Sequence, residues 1–285
     1  MSQQPEDTLS AVAQLLTVMA ALRDGETGCP WDLEQTISSL AVYTLEEVYE
    51  VVDAIESGDM QQLCDELGDL LFQIVFYSRI AEEQGRFTFA DVAAAITDKL
   101  IRRHPHVFPG GEIADAGQKS EITADQVVVN WESIKQAERT AKALRAGGSD
   151  TERIASVLDD VPRALPALER ARKLQKRAAN VGFDWSEISP VLAKLKEEIA
   201  EFEAAIGNES SERAMEEFGD ILFAVVNLAR HSNIEPEMAL RGANQRFENR
   251  FRWIERELYA RGKPLEETGL SELDNLWEAA KLSGL

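Results

Sequence analysis

The chain is poor in the residue types that form disulfide frameworks and many catalytic sites. Its 285 residues include two cysteines, three histidines and nine prolines. Cys29 and Cys64 could form at most one bridge, so a secreted disulfide framework is not indicated and we expect both as reduced thiols. With so few histidines, no Ser-His-Asp or Cys-His arrangement stands out. A Gly-rich phosphate loop of the P-loop type is also absent from the sequence.

Positive charge is scarce as well. Thirty Lys and Arg residues stand against 51 Asp and Glu residues, which gives a net charge of −21. Such a surface repels polyanions, so we expect no nucleic-acid and no membrane partner. The apolar run Leu70–Phe76 is too short to span a bilayer, and the first ten residues lack the basic start and cleavage site of a signal peptide. These features predict a cytoplasmic protein.

The chain does have enough apolar residues for packed cores, since 44% of it is hydrophobic. Apolar residues recur at helical spacing along most of its length, which predicts an all-α protein. At this length two domains of ordinary size can each bury a core. We predict an N-terminal domain over residues 1–110, a linker with one helix over residues 111–150, and a C-terminal domain over residues 151–285. The Gly-rich stretch Arg145–Asp150 is the predicted hinge.

The stretch between residues 194 and 230 combines an apolar helical pattern with clustered carboxylates. The acidic residues are Glu197, Glu198, Glu201, Glu217 and Asp220. Glu198 with Glu201, and Glu217 with Asp220, form pairs three residues apart that share one helix face. A break at Gly207-Asn208 would let the two halves fold back antiparallel, with the pairs facing each other. Four converging carboxylates repel unless a cation lies among them, and oxygen ligands suit Mg²⁺.

The same acidic pattern occurs earlier in the chain, each residue 151 positions before its counterpart. The earlier set is Glu46, Glu47, Glu50, Glu66 and Asp69. Aligned without a gap, Ala41–Ile80 and Leu192–His231 are identical at 12 of 40 positions. This repeat indicates duplication of a helical unit and makes Glu47, Glu50, Glu66 and Asp69 a possible second metal site. Two ordinary solvated acidic faces are the alternative, which the strongly apolar surroundings disfavour.

Three other features each allow a structural or a functional interpretation. The basic predicted helix Ala167–Ala179 is either a solvated face or pairs with acidic groups of another helix or subunit. The predicted helix Pro236–Arg261 has polar and basic side chains that meet phosphate oxygens or form surface salt bridges. Trp277 is either a core anchor or a platform for a flat ring.

Several long segments together resemble the MazG family of nucleoside triphosphate pyrophosphohydrolases. They include GCPWDLEQT at 28–36, ELGDLLFQIVFYSRIAEEQGRF at 66–87, LPALERARKLQKRAANVGFDW at 165–185, EEFGDILFAVVNLARH at 216–231 and ANQRFENRF at 243–251. The resemblance implies two tandem all-α MazG-like bundles in a homodimer. It also implies Mg²⁺-dependent hydrolysis, with Mn²⁺ as a substitute, of nucleoside triphosphates to the monophosphate and pyrophosphate. Base preference would be broad, and the role would be to clear aberrant or excess nucleotides.

The resemblance also assigns roles to residues of the second half. Glu198, Glu201, Glu217 and Asp220 would hold metal, and Glu197 or Glu198 would take the proton of the attacking water. The implied nucleotide-binding residues are Lys194, Arg213, Glu216, Asn244, Arg246, Arg250, Trp277 and Lys281. Arg213 and Arg246 replace the Lys more usual in the family, which keeps the charge and changes the geometry.

Two positions of the repeat favour the second half as the catalytic one. Lys194 and Arg213 correspond to the uncharged Tyr43 and Gln62 of the first half. Two alternatives stay open at this point. One is a narrower enzyme, such as a dUTP- or phosphoribosyl-ATP-cleaving pyrophosphohydrolase. The other is a regulatory helical dimer that binds nucleotide without hydrolysing it.

Overall fold

A computed structural model describes residues 5–117, 156–159, 161–208 and 210–285, together with several residues between 122 and 138. The described part of the chain contains α-helices and 3-10 turns and no β-strand, which confirms the all-α prediction. The chain forms two compact units, residues 1–146 and 147–285. The linker predicted at 111–150 lies in large part outside the described residues. No helix of the described part is long and apolar enough to cross a membrane.

The first unit is built around one long central helix. Its elements are α1 (Pro5–Leu22), α2 (Pro30–Glu34), α3 (Ala41–Ser57), α4 (Met60–Glu83), α5 (Phe89–Arg103) and a 3-10 turn (Ile113–Asp115). Helix α4 contacts α1, α3 and α5. Its apolar residues therefore find neighbours on several sides, as the sequence predicts for a helix apolar almost all round.

Side-chain hydrogen bonds decide where α3 and α4 begin and end. The sequence predicts that α3 begins at Thr36, but Thr36 and Ser39 each accept a hydrogen bond from the other's backbone N–H, at 3.1 and 2.9 Å. This turn delays the helix to Ala41. Gly58 ends it with φ 73°, and Asp59 caps α4 by accepting from the backbone N–H groups of Gln61 and Gln62 at 2.9 and 3.1 Å.

The core of the first unit contains a charged side chain at its edge. The buried residues are Met19, Leu40, Val75, Phe76 and Ile80. The guanidinium of Arg23 lies 5.5 Å from the ring centroid of Phe76 and 2.6 Å from a carboxylate oxygen of Glu83. Arg23 also donates to the backbone carbonyl of Asp32. One buried cation thus joins α1, α2 and α4.

The second unit repeats the hairpin and adds a helical pair. Its elements are α6 (Ala167–Ala179), α7 (Ile188–Asn208), α8 (Ser211–His231), α9 (Pro236–Ala260), a 3-10 turn (Leu265–Glu267) and α10 (Leu270–Leu282). Helix α8 contacts α6, α7 and α9, and α9 contacts α10. The sequence predicts a break at Gly207-Asn208, and α7 in fact continues through both residues and ends at Asn208. Ser210 caps α8 by accepting from the Arg213 backbone N–H at 3.3 Å.

The basic helix α6 pairs with acidic groups on two elements. Arg172 lies 2.7 Å from Glu169 on its own helix and 2.9 Å from Glu235, the residue before α9. One member of the basic cluster, Arg172, thus pairs with an acidic residue outside its own helix. Glu169 is largely shielded from water, whereas the Glu235 side chain is 57% exposed, so the Arg172–Glu235 pair adds little to the attachment of α6 to the start of α9.

The Arg23–Glu83 pair predicts a pH-dependent stability of the first unit. Hydrogen bonds from Arg23 hold the pKa of Glu83 below its usual value. The stability that the Glu83 carboxylate contributes is therefore present above its unfolded pKa of about 4.3, and it is lost as the pH falls through the lower folded pKa. We expect Glu83→Gln to destabilise α1 and α4 by about 1–3 kcal/mol at pH 7, and by less near pH 3. Hydrogen exchange of the backbone amides of α1 and α4 measures this loss of stability at each pH.

Glu82→Gln is the matched control, since Glu82 contacts Arg79 at 3.2 Å on the exposed side of the same helix. We expect it to change protection little. Equal effects of the two variants, or an effect of Glu83→Gln that is unchanged at pH 3, would contradict the assigned role of Arg23.

Candidate metal and nucleotide site

In the second unit α7 and α8 bring three carboxylates together. Oxygens of Glu198, Glu201 and Glu217 all lie within 4.8 Å of one another. Glu198 is 6% exposed and Glu217 is 2% exposed, whereas Glu201 lies at the exposed edge. Buried carboxylates at this spacing are costly without positive charge nearby. The arrangement is therefore suited to a cation.

Each buried carboxylate has a basic residue one turn earlier on its own helix. Lys194 Nζ lies 2.8 Å from Glu198 and 2.7 Å from the exposed Glu197, and these two acids raise the Lys194 pKa. Arg213 forms an ion pair with Glu217 and a longer one, at 3.3 Å, with Glu216. Positive charge thus borders the acidic cluster on both helices.

The predicted metal ligand Asp220 is not part of this close group of three. It is exposed and lines a cavity of about 620 Å³, together with Lys194 and Glu198. That volume falls within the roughly 300–1,000 Å³ common for small-molecule sites. The cavity therefore connects the acidic cluster to space for a ligand.

The rest of the cavity wall is mostly apolar, with amide and ion-paired groups. Its apolar side chains are Leu158, Leu174, Ala178, Phe183, Trp185, Phe223 and Ala224. Its other polar side chains are Gln175, Asp184, Asn227 and Arg230. Arg230 donates to Asp184 at 2.8 Å, and this contact keeps the pKa of Asp184 below its usual value.

The first unit has a similar but more open cluster. Oxygens of Glu47, Glu66 and Asp69 lie within 4.8 Å of one another. Glu47 and Glu66 are half-buried and Asp69 is exposed. The predicted fourth ligand, Glu50, lies outside the close group, yet it is near enough to Glu66 for the two negative charges to interact. Three of the four predicted ligands thus meet in each unit, and the one outside the close group is Glu50 in the first unit and Asp220 in the second.

Loss of solvent and neighbouring negative charge raise the pKa of one carboxyl group in each cluster. Loss of solvent and the charges of Glu198 and Glu217 raise the pKa of Glu201. In the first unit, loss of solvent and the charge of Asp69 raise the pKa of Glu47. A divalent cation would relieve this repulsion in either unit, and a donor set made only of carboxylate oxygens fits a hard ion.

The predicted nucleotide-binding residues of α9 and α10 form a separate group. Trp277 packs on the core residues Ile254 and Leu258, 5.3 Å from the ring of Phe247. The guanidinium of Arg250 lies 5.4 Å from the Trp277 ring and donates to the Leu285 carbonyl at 2.8 Å. Trp277 thus packs against the core of the second unit and stays partly exposed.

The remaining members of that group lie on the same two helices. They are Asn244 and Arg246 on α9, and Lys281 on α10, which lies 2.8 Å from Glu278. No residue of α9 or α10 is among those that line the 620 Å³ cavity. Their nucleotide-binding roles stay predictions.

Sequence reasoning missed four polar residues of the cavity wall, Gln175, Asp184, Asn227 and Arg230. Gln175 lies in a strongly basic helix, where a glutamine is typical of a surface position. Asn227 carried a better signal, because it interrupts the apolar face of α8 where the first unit has Phe76. Comparing the two repeats for such polar replacements would have found it.

Comparisons with known proteins match each half separately. The model of the MazG nucleotide pyrophosphohydrolase domain matches residues 35–108. The model of phosphoribosyl-ATP pyrophosphohydrolase matches residues 165–247. The second match covers α6, the acidic hairpin and the first part of α9.

Two relatives that align with nearly the whole chain are both named as nucleoside triphosphate pyrophosphohydrolases. The nucleoside triphosphate pyrophosphohydrolase of Escherichia coli K12 is 49% identical over 275 residues, which cover 96% of this chain and 98% of that protein. The nucleoside triphosphate pyrophosphohydrolase/pyrophosphatase MazG of Thermotoga maritima is 40% identical over 268 residues and 94% of both chains. A Mycobacterium tuberculosis nucleoside triphosphate pyrophosphohydrolase is 39% identical over 183 residues, 64% of this chain and 47% of that protein. At these levels of identity and coverage, the chain belongs to the MazG family of nucleoside triphosphate pyrophosphohydrolases.

Proposed function

We propose that the second unit hydrolyses nucleoside triphosphates to the monophosphate and pyrophosphate. The observation that carries this is the meeting of Glu198, Glu201 and Glu217 beside a cavity that Lys194 and Asp220 also line. The names of the full-length relatives support the reaction. We propose broad base preference, a role in clearing aberrant or excess nucleotides, and cytoplasmic location.

The metal we propose is Mg²⁺, with Mn²⁺ as a substitute, held by Glu198, Glu201, Glu217 and Asp220. When bound, such an ion neutralises charge on phosphate oxygens and makes water easier to deprotonate. The all-carboxylate donor set and the burial of two of its members support this choice. The equivalent set in the first unit, Glu47, Glu50, Glu66 and Asp69, is a second and weaker candidate.

The protein's own groups then orient the triphosphate and accept a proton. Lys194 and Arg213 border the carboxylates and can contact phosphate oxygens as well. Glu197 is exposed, and Glu198 is buried beside it; one of them serves as the general base. We also propose, from the family resemblance, that Glu216, Asn244, Arg246, Arg250, Trp277 and Lys281 contact nucleotide.

We propose the same division of the chain that the sequence predicts, with catalysis in residues 151–285 and a MazG-like domain in residues 1–110. A homodimer is supported by large apolar side chains exposed on α8, among them Met215, Phe218 and Leu222. Exposed apolar patches of this kind commonly mark protein interfaces. The match to phosphoribosyl-ATP pyrophosphohydrolase makes a narrower substrate choice the second candidate.

The repeat supplies a matched pair of variants that tests where the reaction occurs. We expect Glu201→Gln to lower kcat for pyrophosphate release by about 100-fold or more, because it removes a charged ligand that acts in the transition state. Glu50→Gln, the same change at the equivalent position, should change kcat by less than about 3-fold. Initial rates on ATP, CTP, GTP, UTP, dUTP and phosphoribosyl-ATP measure both.

Loss of pyrophosphate release in the Glu50→Gln variant alone would place the reaction in the first unit. No pyrophosphate from any of the six nucleotides with the wild-type protein would leave a nucleotide-binding protein without hydrolysis. Release from dUTP or phosphoribosyl-ATP alone would replace broad preference by the narrower enzyme.

Metal dependence gives a second prediction. We expect chelation with EDTA to abolish pyrophosphate release, and added Mg²⁺ or Mn²⁺ to restore it. Mg²⁺ should also raise the melting temperature, because it binds only the folded clusters. Scanning calorimetry of the variants Glu217→Gln and Glu66→Gln separates the two sites. We expect the rise in melting temperature caused by Mg²⁺ to be reduced more in Glu217→Gln than in Glu66→Gln. Full activity in EDTA would refute the metal assignment.

A further inference from the structure

The cavity of the second unit extends away from the acidic cluster to a turn that carries two aromatic residues. Asp220 and Arg230 both line the cavity, and ten residues of α-helix span about 15 Å. Residues 182–185, here called the aromatic turn, line it as well, and Asp184 in this turn accepts a hydrogen bond from Arg230 at 2.8 Å. A ligand with its phosphates at the acidic end can therefore extend to the aromatic turn.

The aromatic turn is held in place at both of its ends. At the end of α6, the backbone N–H of Phe183 donates to the carbonyl of Ala178 at 3.0 Å. Gly182 reverses the chain there with φ 89°, a left-handed conformation that suits glycine. At the other end, the ion pair of Asp184 with Arg230 joins the turn to α8. The turn is thus formed before a ligand binds, which lowers the entropic cost of binding.

Both aromatic residues of the turn are open to solvent. Phe183 is 82% exposed and Trp185 is 44% exposed, and neither contacts another aromatic ring within the described part of the chain. The other four tryptophans each contact a second ring or a buried core residue: Trp31, Trp131, Trp253 and Trp277. Apolar rings exposed at a cavity gain free energy when a flat ligand covers them.

We propose that Phe183 and Trp185 form a stacking platform for the base of the nucleoside triphosphate. Every base has an aromatic face, so stacking holds the base without reading its hydrogen-bonding edge. This kind of contact agrees with the broad base preference proposed for the site. The phosphates lie at the other end of the cavity, near Lys194 and the carboxylates. The assignment rests on the proposed function, since it names how that site holds its substrate.

The first unit repeats the spacing of the turn but uses its tryptophan differently. Gly182 and Trp185 correspond in spacing to Gly28 and Trp31. The ring of Trp31 packs edge-on against Tyr43, at 5.6 Å between centroids. Tyr43 stands where the second unit has one of its two cations. Trp31 therefore makes a contact within its own unit and provides a matched control for Trp185.

The first test compares ligands with and without a base. Calorimetry measures the binding of ATP and of inorganic tripolyphosphate, with Ca²⁺ in place of Mg²⁺. In the ring-free variant, Phe183→Leu with Trp185→Leu, we expect ATP to bind about 10-fold or more weakly than in the wild type. Tripolyphosphate has no base to stack, so its affinity should stay within about 2-fold. Trp31→Leu should leave both affinities within about 2-fold of the wild type.

A second variant shows whether aromatic rings are what the site requires. Phe183→Tyr with Trp185→Phe keeps two rings, and we expect its ATP affinity to stay within about 3-fold of the wild type. If the ring-free variant folds poorly, Phe183→Leu alone replaces it, because an exposed side chain can be changed at little cost in stability. For that variant we expect ATP to bind about 3-fold or more weakly and tripolyphosphate to bind as before.

Three results would overturn the platform. One is wild-type affinity for ATP without the rings, in the ring-free variant or in Phe183→Leu where that variant replaces it. Another is an equal loss of affinity for ATP and tripolyphosphate. The third concerns the bases: we expect KM for ATP, GTP, CTP and UTP all to rise while kcat stays within about 3-fold, since stacking contributes to binding, and a rise for one base alone would contradict stacking.

The two measurements together separate this inference from the proposed function. If the wild type releases no pyrophosphate but the ring-free variant loses affinity for ATP and keeps it for tripolyphosphate, the proposed reaction fails and the platform stands. If the wild type hydrolyses nucleotides and the ring-free variant binds ATP as tightly as the wild type, the platform fails and the proposed reaction stands.

Discussion

Burial of the two carboxylates of Glu198 and Glu217 is the constraint on which the second unit depends. Each would be unstable in an apolar layer without positive charge, and each has a cation four residues earlier on its own helix. Lys194 and Arg213 satisfy that need through local helix geometry, so the hairpin can form with its acids inside. In the proposed function the same cations also contact the anionic substrate, so that one arrangement serves folding and binding together.

The two repeats differ at the positions where this constraint is met. In the first unit Tyr43 and Gln62 replace the two cations, and Glu47 and Glu66 are only half-buried. Its carboxylates therefore rely more on water. Phe76, where the second unit has Asn227, completes a packed core. The two copies of the hairpin therefore differ at this position. In the first unit it is occupied by an apolar core residue, and in the second by a polar residue of the cavity wall.

Much of the fold followed from local spacing in the sequence. The predicted bounds of α6 match the structure, because apolar periodicity is a local property. The carboxylate clusters followed as well, since residues three apart share a helix face. Gln175 could not be found this way, because its partner Phe223 lies 48 residues later. For Trp277, spacing allowed both a core anchor and a ring platform, and only the tertiary contacts show that it packs against the core.

The net negative charge of the chain affects how the cavity of the second unit can bind an anionic substrate. A chain of charge −21 repels a free triphosphate at long range, so attraction must come from short-range contacts inside the cavity. In the proposed function Lys194 and Arg213 supply two of these, and a nucleotide that arrives with a divalent cation already carries less negative charge. Arg230 also lines the cavity, but its ion pair with Asp184 already offsets its charge. Attraction of the phosphates therefore depends on the charges beside the acidic cluster, and the uncharged part of the cavity wall can vary without disturbing them.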